Sequence, residues 1–281
     1  MDGKICMITG GTSGIGFYTA LEIAKMGAAV IIIGRDEAKC KNSIQAIQNQ
    51  SGNPSVSYLL ADLSSQTQVR AIAKEFREQH DHLDVLVNNA GASFLTRKRS
   101  EDGLEMTFAV NYLSHFLLTN LLLDELLTSY SARVINVSSG GHYGEHLDFS
   151  DLQLSHFYNP VKAYGRSKLA NILFSYELAR KLSGSKVTSN ALTPGMVAPD
   201  IWKKVNPLLT PLLYPIIKHY GKTPLDGAQT SIYLASSPEV EGVTGKYFVD
   251  EHPVNTSPAS YDETTAQRLW QVSLQLVGLA N

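Results

Sequence analysis

Tyr164 and Lys168 each have a side chain that can gain or lose a proton, and they lie four residues apart in a stretch with helical periodicity. That spacing places both side chains on one face of a helix. A phenol has an unperturbed pKa of about 10, and a neighbouring ammonium favours its ionised form and so lowers that pKa. A phenol tuned in this way is a general acid–base near neutral pH. Because Tyr-x-x-x-Lys is also common on helix surfaces, it indicates catalysis only beside other motifs.

Further polar candidates lie elsewhere in the chain. Ser138 and Ser139 end a β-branched run at 134–137, where a hydroxyl can hold a substrate oxygen beside the tyrosine. Asn111 lies in a long helical stretch, and its carboxamide can hold a water that relays protons to Lys168. Both residue types also have ordinary structural roles, the serine in capping a turn and the asparagine in bonding to backbone.

A glycine-rich turn at 9–16 follows the first strand-like run and opens the first helical run. Its G-x-x-x-G-x-G spacing is related to the dinucleotide fingerprint. Glycines allow a tight turn and close approach to a pyrophosphate, and the helix N-terminus supplies amide donors. The turn predicts a cofactor site built from Gly10, Thr12, Ser13, Gly14, Ile15 and Gly16.

The end of the second strand-like run indicates which dinucleotide is bound. A carboxylate at this point accepts hydrogen bonds from the ribose 2′-hydroxyl of NAD. Gly34 occupies that position, and Arg35 follows with a guanidinium that can pair bidentately with a 2′-phosphate. We therefore predict NADP(H), while Asp36 keeps NAD(H) as the less favoured alternative.

The ends of the third and fourth runs supply further candidates. Asp62, followed by Leu63, can meet an adenine amino group. Its alternative role is to cap the next helix, for which Ser64 and Ser65 also compete. After the fourth run, small residues and amides let a cofactor lie close and can tie neighbouring strands together. These residues are Asn88, Asn89, Ala90 and Gly91.

Short β-branched runs alternate with longer runs of helical periodicity. The predicted strands are 5–9, 30–33, 56–60, 85–87, 134–137, 187–192 and 246–249. The predicted helices are 15–26, 38–50, 66–79, 101–127, 161–182, 226–235 and 264–277. Strict alternation indicates βαβ units. We expect one Rossmann-type doubly wound α/β domain over residues 1–281, with about seven strands in a parallel sheet and helices on both faces.

Composition excludes several classes of protein. A formal net charge of −2 provides no positive field for nucleic acid. Two cysteines, Cys6 and Cys40, exclude a disulfide framework and the multi-cysteine zinc motifs. His142, His146 and His156 are irregularly spaced, so we expect them to be solvated or to line the substrate site, and we predict no metal. Without a targeting or membrane-spanning segment, we expect a cytoplasmic location.

The stretch 196–222 has poor periodicity and many Pro, Leu, Ile and aromatic residues. Long loops in compact domains are usually functional. We expect a substrate lid here, and its apolar content indicates a lipophilic substrate. A subunit interface or a peripheral membrane contact at 201–220 is the open alternative.

Together these motifs resemble the short-chain dehydrogenase/reductase family over residues 3–249. The matching residues are 9–16, 88–91, Asn111, Ser139, 164–168, Pro194 and Gly195. The resemblance implies that Tyr164 is the acid–base. It implies two roles for Lys168, which lowers the pKa of Tyr164, together with a cationic nicotinamide, and which binds the nicotinamide ribose. It also implies that Ser139, rather than Ser138, positions the carbonyl and that Asn111 supports a proton relay. The backbone near Val197 would then contact the carboxamide.

Within that family the chain is similar to the retinol dehydrogenase branch. The supporting stretches are 34–36, 167–174, 223–224, 227–230 and 268–270. This resemblance implies an NADP(H)-dependent enzyme for retinal-like aldehydes or ketones, and homo-oligomers are common in the family. The alternatives are an NADP-binding sensor or scaffold without turnover, and a reductase of another small carbonyl compound.

Overall fold

The computed structural model describes residues 1–197 and 221–280. Its strands form one sheet in the order β3-β2-β1-β4-β5-β6-β7-β8. Strands β1 to β7 run parallel, and β8 is antiparallel to β7. The strands are β1 Ile5–Thr9, β2 Ala29–Gly34, β3 Val56–Leu60, β4 Val85–Asn88, β5 Arg133–Val137, β6 Thr188–Thr193, β7 Tyr247–Val249 and β8 His252–Val254.

Helices cover both faces of this sheet. They are α1 Gly14–Lys25, α2 Glu37–Ser51, α3 Gln66–Gln79, α4 Ser114–Leu121, α5 Leu123–Thr128, α6 Pro160–Lys181, α7 Pro224–Ser236 and α8 Glu263–Leu276. Side chains alternate between the faces along each strand. Met7 therefore joins the core under α3 to α6 and α8, whereas Ile8 joins the core under α1, α2 and α7. The doubly wound α/β fold is thus confirmed.

Two details of the fold differ from the prediction. The sheet has an eighth strand, β8, which the sequence did not reveal because it is only three exposed residues with a proline at its centre. Such a strand is tolerated at a sheet edge. The single helix expected over 101–127 is also wrong. The chain instead forms Met106–Phe108, a π-helical turn Ala109–Leu113, α4 and α5.

The strand order creates a crevice at one edge of the sheet. Strands β1 and β4 are neighbours, and the chain leaves them in opposite directions, to β2 and to β5. Ligands of doubly wound sheets bind at this switch point, outside the carboxyl ends of the strands. Most of the expected lid, 198–220, lies outside the described residues. The chain on either side of this stretch comes together, because Val197 and Lys222 form a parallel β-bridge. Among the described helices, none is long and apolar enough to cross a membrane.

Candidate active site

Helix α6 carries the acid–base pair. Asn159 caps its N-terminus by accepting hydrogen bonds from Val161 N at 2.9 Å and Lys162 N at 3.1 Å. Tyr164, in the following turn, is partly exposed, whereas Lys168 is buried. The Lys168 ammonium lies 5.5 Å from the centre of the Tyr164 ring. The predicted one-face arrangement of the pair is therefore present.

The environment of the pair sets its protonation. The Lys168 ammonium donates a 2.9 Å hydrogen bond to the carbonyl oxygen of Val137, at the end of β5. Burial lowers the pKa of Lys168 to about 8. Burial raises the pKa of the Tyr164 phenol, and a hydrogen bond with Ser139 opposes this. The lowered Tyr164 pKa, which requires the ammonium to act with a cationic nicotinamide, stays a prediction.

The two serines after β5 have different partners. Ser138 is buried and donates a 2.8 Å hydrogen bond to the carbonyl oxygen of Lys168, so its hydroxyl fixes α6 against the sheet. Ser139 is partly exposed, and its Oγ accepts from Gly141 N at 3.1 Å. The Ser139 hydroxyl hydrogen remains available to Tyr164 or to a substrate oxygen. The geometry therefore favours Ser139 over Ser138 as the group that meets substrate.

Asn111 lies at the centre of the π-helical turn, a distortion that often marks functional sites. Its Oδ1 accepts from Ala92 N at 2.7 Å, and its Nδ2 donates to Ala92 O and to Ser167 Oγ, each at 3.0 Å. The carboxamide thus ties the loop after β4 to α6. A Cβ built on Gly91 would lie 3.7 Å from Asn111 Oδ1 and 3.5 Å from Lys168 Nζ. A relay water between those two atoms stays a prediction.

The glycine-rich turn fits a dinucleotide pyrophosphate. Helix α1 begins at Gly14, and Ser13, its N-cap residue, makes no capping hydrogen bond with its side chain. The Ser13 side chain therefore does not occupy the amides of the first helical turn, which are the groups that bind a phosphate at a helix N-terminus. Within the part of the chain that the structure describes, a Cβ on Gly14 would meet no atom within 4 Å. The predicted residues Gly10, Thr12, Ser13, Gly14, Ile15 and Gly16 form the turn and the start of this helix.

Thr9, which the sequence reasoning did not single out, holds the neighbouring loop. Its Oγ1 accepts hydrogen bonds from Asn89 N at 2.8 Å and from Ala90 N at 2.9 Å. Asn89 Nδ2 donates in turn to Thr9 O at 2.8 Å, and Asn88 Nδ2 donates to Asn136 Oδ1 at 2.9 Å. The amides after β4 therefore tie β1, β4 and β5 together, as expected. A hydroxyl at the end of β1 was the available signal for Thr9.

The end of β2 has no room for a carboxylate at Gly34. A Cβ there would lie 2.6 Å from the Cys40 sulfur and 2.7 Å from Thr12 Cγ2, closer than real contacts allow. Asp36 is used elsewhere, since it caps α2 by accepting from Lys39 N at 3.0 Å. Arg35 remains, with 74% of its side chain exposed and its guanidinium 4.0 Å from Asp62.

Asp62 does not cap the next helix. Its carboxylate accepts from Ser64 N at 2.9 Å and Ser64 Oγ at 2.8 Å, while Ser65 caps α3 by accepting from Gln68 N. Leu63, beside it, packs partly buried against the core. The Asp62 carboxylate is therefore held at the carboxyl end of β3, where an adenine contact was predicted.

The turn after β6 brings three predicted cofactor residues to the same edge, namely Pro194, Gly195 and Val197. Val197 N donates to Gly195 O at 3.1 Å, and its side chain packs on Gly227. Lys222 N donates to Met196 O at 2.8 Å. Val197 N is thus already engaged within the turn, and the backbone contact from this region to the nicotinamide carboxamide stays a prediction.

The three histidines differ in exposure. His146 and His156 are exposed, but His142 is fully buried, so the expectation that it would be solvated or line the substrate site is wrong. Its ring is turned inward, against Tyr247 of β7. Within 1–197 and 221–280, no group of three or more His, Cys, Asp or Glu side chains is placed to hold a metal ion.

Comparison with known sequences agrees with this geometry. The profile of the family described as short chain dehydrogenase matches residues 4–209. Human retinol dehydrogenase 14 is 44% identical over 295 residues, which cover 99% of this chain and 88% of that protein. Human polyprenol dehydrogenase is 42% identical over 289 residues, covering 98% of this chain and 86% of that protein.

Solved structures show the same fold. An uncharacterized protein from Mycobacterium paratuberculosis matches with a TM-score of 0.79 and 31% identity, covering 99% of this chain and 94% of that one. A short chain dehydrogenase from Escherichia coli CFT073, solved with NADPH, matches with a TM-score of 0.71 and 23% identity, covering 90% and 98%. At 23% identity, the match to the E. coli structure shows a shared fold and nothing more.

Proposed function

The chain belongs to the short-chain dehydrogenase family of oxidoreductases, and we propose that it interconverts a lipophilic aldehyde or ketone and its alcohol with NADP(H). The observation that carries this proposal is the grouping of Tyr164, Lys168 and Ser139 at the carboxyl edge of the sheet, the edge at which the glycine-rich turn follows β1. A protein that only bound the dinucleotide would have no use for an acid–base tyrosine beside a buried lysine.

In the proposed reduction, Ser139 holds the carbonyl oxygen of the substrate by donating its free hydroxyl hydrogen. Tyr164 gives its phenolic proton to that oxygen, and it takes the proton back in the oxidation direction. Lys168 stabilises the resulting phenolate by its charge. The nicotinamide, when bound, supplies or accepts the hydride. Asn111 positions the loop after β4 and α6 against one another.

Three features of this chain support NADP(H) over NAD(H). Packing around Gly34 excludes the acidic side chain that an NAD ribose would require there. Asp36 is engaged in capping α2. Arg35 is exposed at the same edge, and its guanidinium suits a 2′-phosphate. The E. coli structure with NADPH shares the fold, but at 23% identity its bound cofactor is weak support for the cofactor of this chain.

The proposed substrate class is apolar. The curated relatives at 42–44% identity are named for retinol and polyprenol, which are both long apolar alcohols. A small lipophilic alcohol or carbonyl compound is therefore our proposal for this chain. The lid, the membrane contact at 201–220, the cytoplasmic location and the homo-oligomer stay predictions, since the first two fall almost wholly on residues outside those described.

A panel of aldehydes and ketones of increasing chain length, including all-trans-retinal, tests the proposal. The loss of reduced-nicotinamide absorbance is followed with NADPH and, separately, with NADH. We expect turnover with NADPH that rises with the apolar length of the substrate. Tight NADPH binding without turnover of any compound would favour the sensor alternative, and turnover of short substrates alone would favour a reductase of another small carbonyl.

A further inference from the structure

The backbone that carries Ser139 turns sharply directly after β5. Ser139 caps a single 3₁₀ turn, Gly140–His142, and residues 139–142 are called the serine turn below. The turn lies against the acid–base, because a Cβ on Gly141 would be 3.3 Å from the Tyr164 ring. Small movements of this turn therefore change the distance between the Ser139 hydroxyl and the phenol.

His142 ends the serine turn and is fully buried. Its Nδ1 lies 2.7 Å from the carbonyl oxygen of Ser139, and Ser257 N lies 3.4 Å from its Nε2. A carbonyl can only accept a hydrogen bond and an amide can only donate one, so Nδ1 carries the hydrogen and Nε2 is bare. Burial lowers the pKa of His142, and the hydrogen bond to the Ser139 carbonyl opposes this without reversing it. Both observations describe a neutral ring of one defined tautomer.

The far side of this bridge is fixed independently of His142. Ser257 lies in residues 255–261, called the anchored segment below. Within it, Thr256 Oγ1 lies 3.3 Å from the Tyr176 hydroxyl of α6, and Thr256 N donates to the Tyr261 hydroxyl at 3.0 Å. The Tyr176 and Tyr261 rings stack with centres 5.7 Å apart. His142 thus connects the serine turn to a segment that α6 already holds.

We propose that His142 is a positioning residue for the reaction: it holds the Ser139 carbonyl against the anchored segment and so keeps the Ser139 hydroxyl within hydrogen-bond reach of Tyr164. This inference rests on the proposed function. Without the bridge, the serine turn would lose its buried side-chain link to the anchored segment, leaving the exposed hydrogen bond from the Tyr143 hydroxyl to Asn255 O at 3.3 Å, and it would be held less firmly beside α6. The hydrogen bond from Ser139, which favours the phenolate, would weaken, and proton transfer would slow.

The test compares His142→Phe, which keeps a ring and the backbone hydrogen bond from residue 142 N to Ser139 O but removes both side-chain hydrogen bonds, with His142→Asn, whose Nδ2 can still donate to Ser139 O. His146→Phe is the matched control, since that histidine lies four residues further along the same loop and is exposed. We expect kcat to fall about 10- to 100-fold in His142→Phe, with partial recovery in His142→Asn and little change in KM for the cofactor. The pH profile of kcat/KM for alcohol oxidation should move to higher pH, because it reports the enzyme before the alcohol binds, when the Ser139 hydroxyl can still donate to Tyr164 and lower its pKa.

Ser139→Ala separates positioning from general support of the fold. If His142 acts through Ser139, His142→Phe should add little further loss and no further shift of the pH profile in the Ser139→Ala background. Independent, additive losses in the double variant would overturn the inference. An unchanged pH profile in His142→Phe would overturn it as well.

A readout without turnover keeps this inference separate from the proposed function. In cofactor-free protein labelled with carbon-13 tyrosine, the Cζ signal of Tyr164 is assigned by its loss in Tyr164→Phe. We expect this signal to shift in His142→Phe in the same direction as in Ser139→Ala, and to stay in place in His146→Phe. A Tyr164 signal that responds to Ser139→Ala but not to His142→Phe contradicts the inference, whether or not a substrate is found.

Discussion

Gly165 packs directly against the carbonyl oxygen of Gly141, so closely that a Cβ on Gly165 would lie 2.5 Å from that oxygen. The contact joins α6, which carries Tyr164, to the serine turn, which carries Ser139. Glu145 closes the same spot from the other side, with its Cγ 2.7 Å from the same Cβ position. A residue without a side chain therefore sets the spacing between the two groups proposed to hold the substrate oxygen.

We predict that Gly165→Ala lowers both activity and stability. Alanine is favoured over glycine inside a helix by about 1 kcal/mol, but an overpacked contact typically costs about 1–3 kcal/mol. The clash is with a backbone oxygen, so its cost should exceed the gain in helix propensity and push the serine turn away from Tyr164. Gly140→Ala is the control, because a Cβ there meets no atom of the described residues within 4 Å. Comparable kcat values for the two variants would show that the contact does not set the geometry.

Tyr164→Phe removes the proposed acid–base and retains the ring. We expect kcat to fall about 100- to 10,000-fold, the usual contribution of general acid–base catalysis. The affinity for NADPH, measured by titration, should change little. Tyr130→Phe is a suitable control, since that tyrosine is 75% exposed and precedes β5 at the opposite edge of the sheet. Full turnover by Tyr164→Phe would disprove the proposed chemistry.

Lys168 should make stability depend on pH. Burial lowers its pKa to about 8 in the folded protein, while the unfolded chain keeps the proton up to about 10.4. Between these values the unfolded state binds more protons, so stability rises with pH. From about pH 7 to about pH 10, wild type should gain roughly 2 kcal/mol of unfolding free energy relative to Lys168→Met.

Urea unfolding at both pH values measures this difference. Lys74→Met is the control, because the Lys74 side chain is 74% exposed, and it should follow the pH dependence of wild type. If Lys168→Met tracks wild type across this range, the ammonium is not destabilised by burial.

Arg35→Ala should discriminate between the two cofactors. Losing a charge-assisted contact to the 2′-phosphate should weaken NADPH binding about 10- to 100-fold, while NADH binding stays nearly constant. Lys74→Ala serves as the control, since its side chain matches Arg35 in exposure at 74% but lies on α3, away from the switch point. Equal losses for both cofactors would refute the role given to Arg35.

Local signals in the sequence determined much of this protein. Buried parallel strands appear as short β-branched runs, and their predicted bounds lie within a residue or two of those observed, as in Val56–Leu60. The glycine-rich turn, the four-residue spacing of Tyr164 and Lys168, and the order of the motifs also lie within single elements or along the chain. Backbone sterics and helical periodicity act over a few residues, so such features can be read without a structure.

The remaining features depend on residues far apart in the chain. The hydrogen bond that engages Ser138 with Lys168 O follows from how α6 packs on β5. The π-helical turn at Asn111 interrupts a stretch that looked like one helix. An acidic side chain is excluded at Gly34 because Thr12 and Cys40 fill the space that it would occupy.

His142 has its second partner, Ser257, 115 residues away. No local pattern distinguishes this buried, bridging histidine from the exposed ones that follow it. Only the packing of the anchored segment against α6 decides that difference, because burying a polar ring costs less free energy where its nitrogens find partners.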